Sequence, residues 1–224
     1  FDNFRGKGQK LNIGASTGTN FSIYTTQEPS KYRSLNISFQ DPMINDSPYL
    51  VGASIFYSFR GSSTNYYFPL DFTVGGAVAS FGRRLEWPDD FFRVMWSAKF
   101  MQKEYEGSQS DIDNYIGGLQ KTRGISLSQV LSRDSRNRAE FPTNGSTFIL
   151  ENTYSGGFLG GNENFQKHML TLDWFTPTFS KFVLYNSVKL GVIKTIDVGD
   201  DIQSFVPFDE RFIMGGNGLS LIHI

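Results

Sequence analysis

The stretch Arg93-Val94-Met95-Trp96-Ser97-Ala98-Lys99-Phe100 sets Val94, Trp96, Ala98 and Phe100 against Arg93, Ser97, Lys99 and, further on, Lys103. Alternation of this kind places side chains on opposite sides of an extended chain, so the segment reads as a β-strand with one apolar and one polar face. The pattern recurs on both sides of it. Leu11, Ile13 and Ala15 alternate with Lys10, Asn12, Gly14 and Ser16, and Leu35, Ile37 and Phe39 alternate with Ser34, Asn36, Ser38 and Gln40. Val51, Ala53, Ile55, Tyr57 and Phe59 give a third apolar row, and Phe72, Val74 and Val78 are read as the apolar row of a fourth strand. Beyond Phe100 come Ile125 with Leu127, then Phe148, Leu150 and Tyr154, then Leu170, Leu172 and Trp174, then Phe182, Leu184, Val188 and Leu190. Helical periodicity is sustained nowhere. Residues 111–120 come nearest, and Gly117 and Gly118 interrupt them.

Composition narrows the classes. Apolar residues are only 39% of the 224, yet aromatics reach 16% and there are 23 glycines. A net charge of -1 gives no bulk attraction for nucleic acid. With no cysteine, disulfide scaffolds, thiolate metal sites and a Cys nucleophile are excluded. No apolar run approaches the roughly 18 residues of a membrane helix. No charged and apolar leader pattern follows Phe1, so the chain reads as a mature or excised piece. The aromatic and β-branched content is too high for disorder. A soluble β-sandwich or a membrane β-barrel remains.

The connections separate the two. Tight turns rich in Pro, Asp and Asn are expected at Asp41-Pro42 to Ser47-Pro48, at Trp87-Pro88-Asp89-Asp90, at Phe141-Pro142-Thr143-Asn144-Gly145 and at Thr176-Pro177-Thr178. Longer polar loops are expected near 17–31, 61–71, 107–123, 155–165 and 199–210. Short and long connections alternate, as short periplasmic turns and long external loops do in an outer-membrane barrel. The first strand then rises from the periplasm, and the N-terminus faces the periplasm. Phe39, Tyr49, Trp87, Phe91, Phe92, Phe141, Trp174, Phe175, Phe179 and Phe182 gather at the short-turn ends, as an interfacial aromatic girdle would. Lys10, Arg93, Lys99, Lys167, Asp173 and Lys189 all fall on the parity that avoids lipid.

Little in the chain suggests bond chemistry. His168 and His223 have no ligand partners at metal spacing. Asp111, Asp113 and Asn114 match part of a calcium loop without its glycine and terminal glutamate. Asn20, Asn36, Asn45 and Asn144 match the glycosylation pattern, but Asn36 lies mid-strand and the matches read as coincidence. No nucleophile elbow, phosphate loop or dinucleotide fingerprint occurs. No cofactor and no metal are expected.

Three stretches, in order, resemble the BamA-like outer-membrane insertase superfamily. Asn3-Phe4-Arg5-Gly6-Lys7-Gly8-Gln9-Lys10-Leu11 is similar to that family's approach from its periplasmic domains into the first barrel strand. Ser132-Arg133-Asp134-Ser135-Arg136, followed by Phe141-Pro142-Thr143-Asn144-Gly145-Ser146, resembles its mid-barrel turn. Pro207-Phe208-Asp209-Glu210-Arg211-Phe212-Ile213-Met214-Gly215-Gly216 resembles the approach to a long external loop that folds back into the lumen. The Arg-Gly-aromatic motif expected soon after the Gly-Gly pair is absent; Leu219 to Ile224 stand there instead.

The resemblance implies an all-β, antiparallel up-and-down transmembrane barrel. Measured against a sixteen-stranded family barrel of well over roughly 300 residues, residues 1–224 read as a partial barrel of about nine or ten strands. Residues 199–224 read as the start of the lumenal loop. It also implies an insertase that helps other barrel proteins fold into the bacterial outer membrane without catalytic residues. Lys10, Leu11, Asn12, Ile13, Gly14 and Ala15 would then form a weak lateral seam that opens and receives a substrate strand. Arg133, Asp134, Arg136, Pro142 and Gly145 would form a turn or rim network. Phe208, Glu210, Arg211, Phe212, Gly215 and Gly216 would carry the lumenal loop. Unfolded outer-membrane proteins, accessory assembly lipoproteins and outer-membrane lipid are the implied partners; nucleic acid is not among them. The competing readings are an outer-membrane channel or transporter and a soluble β-rich adhesin or surface domain.

Overall fold

The computed structural model describes residues 3–4, 6–20, 30–62, 69–198, 206–207 and 210–212. Nine strands form one antiparallel sheet in sequence order. They are β1 (Lys10–Asn20), β2 (Ser30–Asp41), β3 (Tyr49–Arg60), β4 (Asp71–Arg84), β5 (Phe92–Glu106), β6 (Lys121–Asp134), β7 (Gly145–Ser155), β8 (Phe165–Pro177) and β9 (Val183–Thr195). A single helix, α1 (Gln109–Ile116), sits between β5 and β6. Among the described residues each strand pairs with its sequence neighbours, and β1 and β9 have one strand neighbour each.

Register turns the strand alternation into continuous rows. Ile13, Ile37, Ile55, Ala77, Phe100 and Ile125 lie side by side across six strands. Beside them run Leu11, Phe39, Ala53, Ala79, Ala98, Leu127 and Tyr154. This face is apolar and uncovered: Ile13 is 59% exposed and Ile55 66%. So wide an apolar surface is stable only against hydrocarbon, which assigns the sheet to a transmembrane β-barrel wall. The opposite face carries Lys99, Lys103, Lys167, Asp173 and Lys189, as the sequence parity requires.

The fourth strand reads differently from the sequence expectation. Register places Ala77, Ala79 and Phe81 on the apolar face, because they lie opposite Ile55, Ala53 and Val51. Phe72, Val74 and Val78 therefore point inward. Phe72 packs there on Tyr105, with ring centroids 5.2 Å apart, beside a small core of Leu70, Tyr105, Ile112 and Ile116. Helix α1 supplies the last two and covers this inward apolar patch. That helix corrects the second expectation. Ser108 accepts from the Asp111 amide as its N-cap, and Gly117 takes a left-handed conformation after its last turn. The glycines end the helix instead of preventing it.

Connection length also departs from strict alternation. Residues 42–48, 85–91 and 178–182 are compact, but 135–144 is as long as 61–70 at the other end. Of the expected girdle, Trp87, Phe91, Phe141, Phe179 and Phe182 are exposed at the short-turn end. Phe175 is not part of it. Its odd position in β8 turns it to the polar face, where it stacks on Tyr185 at 4.9 Å.

Candidate functional site

The approach to β1 is a tight turn built from the glycines of its motif. Gly6 and Gly8 hold φ of +72° and +71°, a region that suits glycine. The Phe4 amide donates to the Gln9 carbonyl at 2.6 Å, and the Gly8 amide donates to Asn3 Oδ1 at 2.7 Å. Gln9 Nε2 then donates to Asp41 Oδ2 at 2.8 Å, at the far end of β2. The motif's glutamine thus ties the chain's approach to the neighbouring turn. Gln9 stands in the entry motif and Asp41 at an expected turn, but their pairing across 32 residues carries no local signal in the sequence.

From Lys10 to Ala15, β1 pairs with β2 from Gln40 back to Leu35. Its other edge has no strand partner among the described residues. Gly14 has open space around its missing side chain, whereas a Cβ at Gly18 would come within 2.5 Å of the Tyr32 ring. Gly14 therefore loosens the strand, and Gly18 makes room for an aromatic across the pair.

The rim residues Arg133, Asp134, Arg136, Pro142 and Gly145 come together at the β6–β7 turn, in two ion pairs. Arg133 Nε donates to Asp89 Oδ2 at 2.8 Å, reaching the neighbouring turn, and its guanidinium lies over Phe91 and Phe92. Arg136 grips Asp134 with two bonds of 2.9 and 2.7 Å. Those hydrogen bonds hold the Arg136 pKa above its ordinary value. Register puts Arg133 opposite Phe92 and Phe148, on the apolar side, so it belongs to the rim and not to the lumen. Gly145 has φ +104°, and a Cβ there would run into the Ser135 carbonyl. Pro142 is half-buried and accepts no special role beyond the turn.

On the polar face two loop-borne carboxylates meet strand lysines. Glu210 Oε2 accepts from Lys167 Nζ at 2.9 Å, and its Oε1 lies 3.9 Å from Lys99 Nζ. Phe212 sits beneath Lys167 at 5.5 Å, and its ring occupies the space that a side chain at Gly191 would need. Arg211 is exposed and donates to the Val206 carbonyl. Phe208, Gly215 and Gly216 lie outside the described residues. The second pair is fully buried: Lys103 Nζ lies 3.1 Å from Glu163 Oε1, which also accepts from Thr122 Oγ1 at 2.7 Å. Sequence reading placed Lys103 on the polar parity but left Glu163 in a polar loop, since only the fold folds that loop inward.

The order of these features along one up-and-down sheet agrees with a known family. The model of the Omp85 superfamily domain matches residues 3–219. The chain belongs to the Omp85 superfamily. Among curated Omp85-type relatives, the outer membrane protein assembly factor BamA of Nitratidesulfovibrio vulgaris strain Hildenborough is 28% identical over 195 residues, 83% of this chain and 22% of its own length. The crystal structure of BamA from Haemophilus ducreyi lacking POTRA domains 1–3 superposes with a TM-score of 0.73 at 17% identity, over 97% of this chain and 40% of that one. That likeness shows an Omp85 barrel fold. The chain spans about a fifth of the curated relative and two fifths of the solved one.

Proposed function

We propose that this Omp85 chain is barrel wall of an outer-membrane assembly factor that helps other β-barrel proteins fold and insert. The observation that carries the proposal is the match of residues 3–219 to the Omp85 superfamily domain, together with the likeness to an outer membrane protein assembly factor over 83% of this chain. In hydrocarbon every backbone N–H and C=O must find a partner, so an unpaired edge is a strong acceptor for another strand. Lys10 to Ala15 would receive an incoming strand edge to edge. The apolar row Leu11, Ile13, Ala15 is light, and Gly14 lacks packing, which suits a seam that opens. This assistance requires no bond chemistry.

In the same reading the N-terminus faces the periplasm, with accessory lipoproteins and outer-membrane lipid as further partners. Glu210 and Phe212 anchor the external loop against the lumen wall. Photo-crosslinking residues at Asn12 and Gly14 of the full-length protein, expressed in cells, test the seam. Adducts with several unrelated barrel precursors are expected, together with a joint fall in many outer-membrane proteins on depletion. Absence of adducts, with loss of a single transport activity, would establish a passive channel instead.

A further inference from the structure

Strand β7 stops at Ser155, opposite Ser126, and does not reach the Lys121 end of β6. The loop 156–164 takes its place there. The Gly156 amide donates to the Ile125 carbonyl at 3.0 Å, Gly161 bridges to Gly124, and the Asn162 amide donates to the Arg123 carbonyl at 2.9 Å. The Asn162 side chain serves this edge as a peptide group would. Its Oδ1 accepts from the Arg123 amide at 2.6 Å, and its Nδ2 donates to the Lys121 carbonyl at 3.3 Å. The two residues that follow, Glu163 and Asn164, are each only 1% exposed.

Three polar atoms converge on one stretch of β6. Glu163 Oε1 is engaged by Lys103 Nζ and Thr122 Oγ1. Glu163 Oε2 lies over Gly124, 2.6 Å from where a Cβ would stand. Ser126 is the next residue of β6 on that face, and its buried Oγ has no hydrogen-bond partner. The Asn164 amide lies over Gly156, which is bonded to Ile125 between those two residues. Asn164 Oδ1 accepts from the Gly157 amide at 2.8 Å, which fixes the orientation of the side chain. Its Nδ2 is left as a buried donor without a partner. Buried polar atoms in folded proteins are nearly always paired, with protein or with ordered water.

The three atoms define what the site takes. Its occupant must accept from Asn164 Nδ2, donate to Glu163 Oε2 and meet the Ser126 hydroxyl in either sense. An anion would face the Glu163 carboxylate. A metal cation would face the Asn164 N–H groups and the Lys103 ammonium. A neutral molecule that both donates and accepts suits all three, and the enclosure of Ser126 and Asn164 selects the smallest such molecule. Buried water typically makes about three hydrogen bonds, the number offered here.

We infer that the loop closes over one structural water, which accepts from Asn164 Nδ2 and bridges Glu163 Oε2 to Ser126 Oγ. The water extends the Lys103–Glu163–Thr122 cluster along β6. It makes the inward fold of the loop depend on a hydrated polar seat and not on apolar packing. The inference rests on the barrel wall and is independent of the assembly role.

The test is solid-state NMR of the full-length protein in lipid bilayers, reading magnetisation transfer from water protons to the Asn164 side-chain nitrogen. Wild type is expected to show transfer from a water that exchanges slowly with bulk. Ser126→Ala leaves the seat open and should keep the transfer. Ser126→Val fills the seat with methyl groups and should abolish it. A high-resolution map of the wild-type protein checks the geometry without any variant: a peak about 3 Å from Ser126 Oγ, Asn164 Nδ2 and Glu163 Oε2 is expected. No transfer in wild type, or equal transfer in wild type and Ser126→Val, would overturn the inference. So would a map in which Ser126 Oγ and Asn164 Nδ2 bond directly to each other.

Discussion

The buried Lys103–Glu163 pair offers the sharpest energetic test. Both side chains are essentially fully enclosed, with relative exposures of 0% and 2%, and Nζ stands 3.1 Å from Oε1. Thr122 adds a hydrogen bond of 2.7 Å to the same oxygen, and the carboxylate fills the space above Gly124. Removing one member of such a pair strands the other charge, at a cost of about 3–5 kcal/mol. Removing both leaves no stranded charge and should cost far less. Glu163→Leu alone and Lys103→Met alone are therefore each expected to loosen the 156–164 loop. The readout is amide hydrogen exchange at Gly157 and Asn162, whose N–H groups donate to Asn164 Oδ1 and to the Arg123 carbonyl. A loss of about 3–5 kcal/mol in local opening speeds exchange by roughly two to three orders of magnitude or more. The double variant should recover most of that protection. Singles that change exchange less than about fivefold, or a double variant as fast as the two singles combined, would refute the reasoning.

Three further outcomes follow from single contacts. Gly145→Ala places a Cβ against the Ser135 carbonyl at positive φ, and should cost about 1–3 kcal/mol, seen as a lower heat-modification midpoint of the full-length protein. Arg133→Ala removes a half-exposed ion pair and the cover over two rings, so its loss should stay near about 1 kcal/mol in the same assay. With cysteines at both Lys167 and Glu210, oxidation should link the loop to β8 in membranes, read as a mobility shift; no link under any oxidant would place that segment elsewhere.

Most of the fold was legible because a strand's two-residue period is a local property. Val94 to Phe100 announced a strand from their own alternation, and the lysines of the polar parity pointed inward as expected. The fourth strand was misread because both of its rows contain small or apolar residues. Only pairing with Ile55 and Ala53 decides which row meets lipid. Helix α1 was obscured because its Ile112 and Ile116 face a patch made by β4 and β5, which no window of the sequence displays. Of the site, the glycine turn and the β6–β7 rim residues were visible as motifs. Their pairings with Asp41 and Asp89, and the Lys103–Glu163 pair, were not, since each acid lies about 30 or more residues from the group it meets and joins it only through the sheet.

The bond from Gln9 to Asp41 gives β1 a fixed origin. One end of β1 is pinned to the base of β2, while along its length Gly14 contributes no packing. A strand held in this way behaves like a hinged ruler. It resists sliding, because a one-residue slip would break the pin and turn Leu11 and Ile13 away from the lipid. A chain that paired with the other edge of β1, as proposed above, would be measured from Lys10, and in-and-out parity would pass from the template to the newcomer.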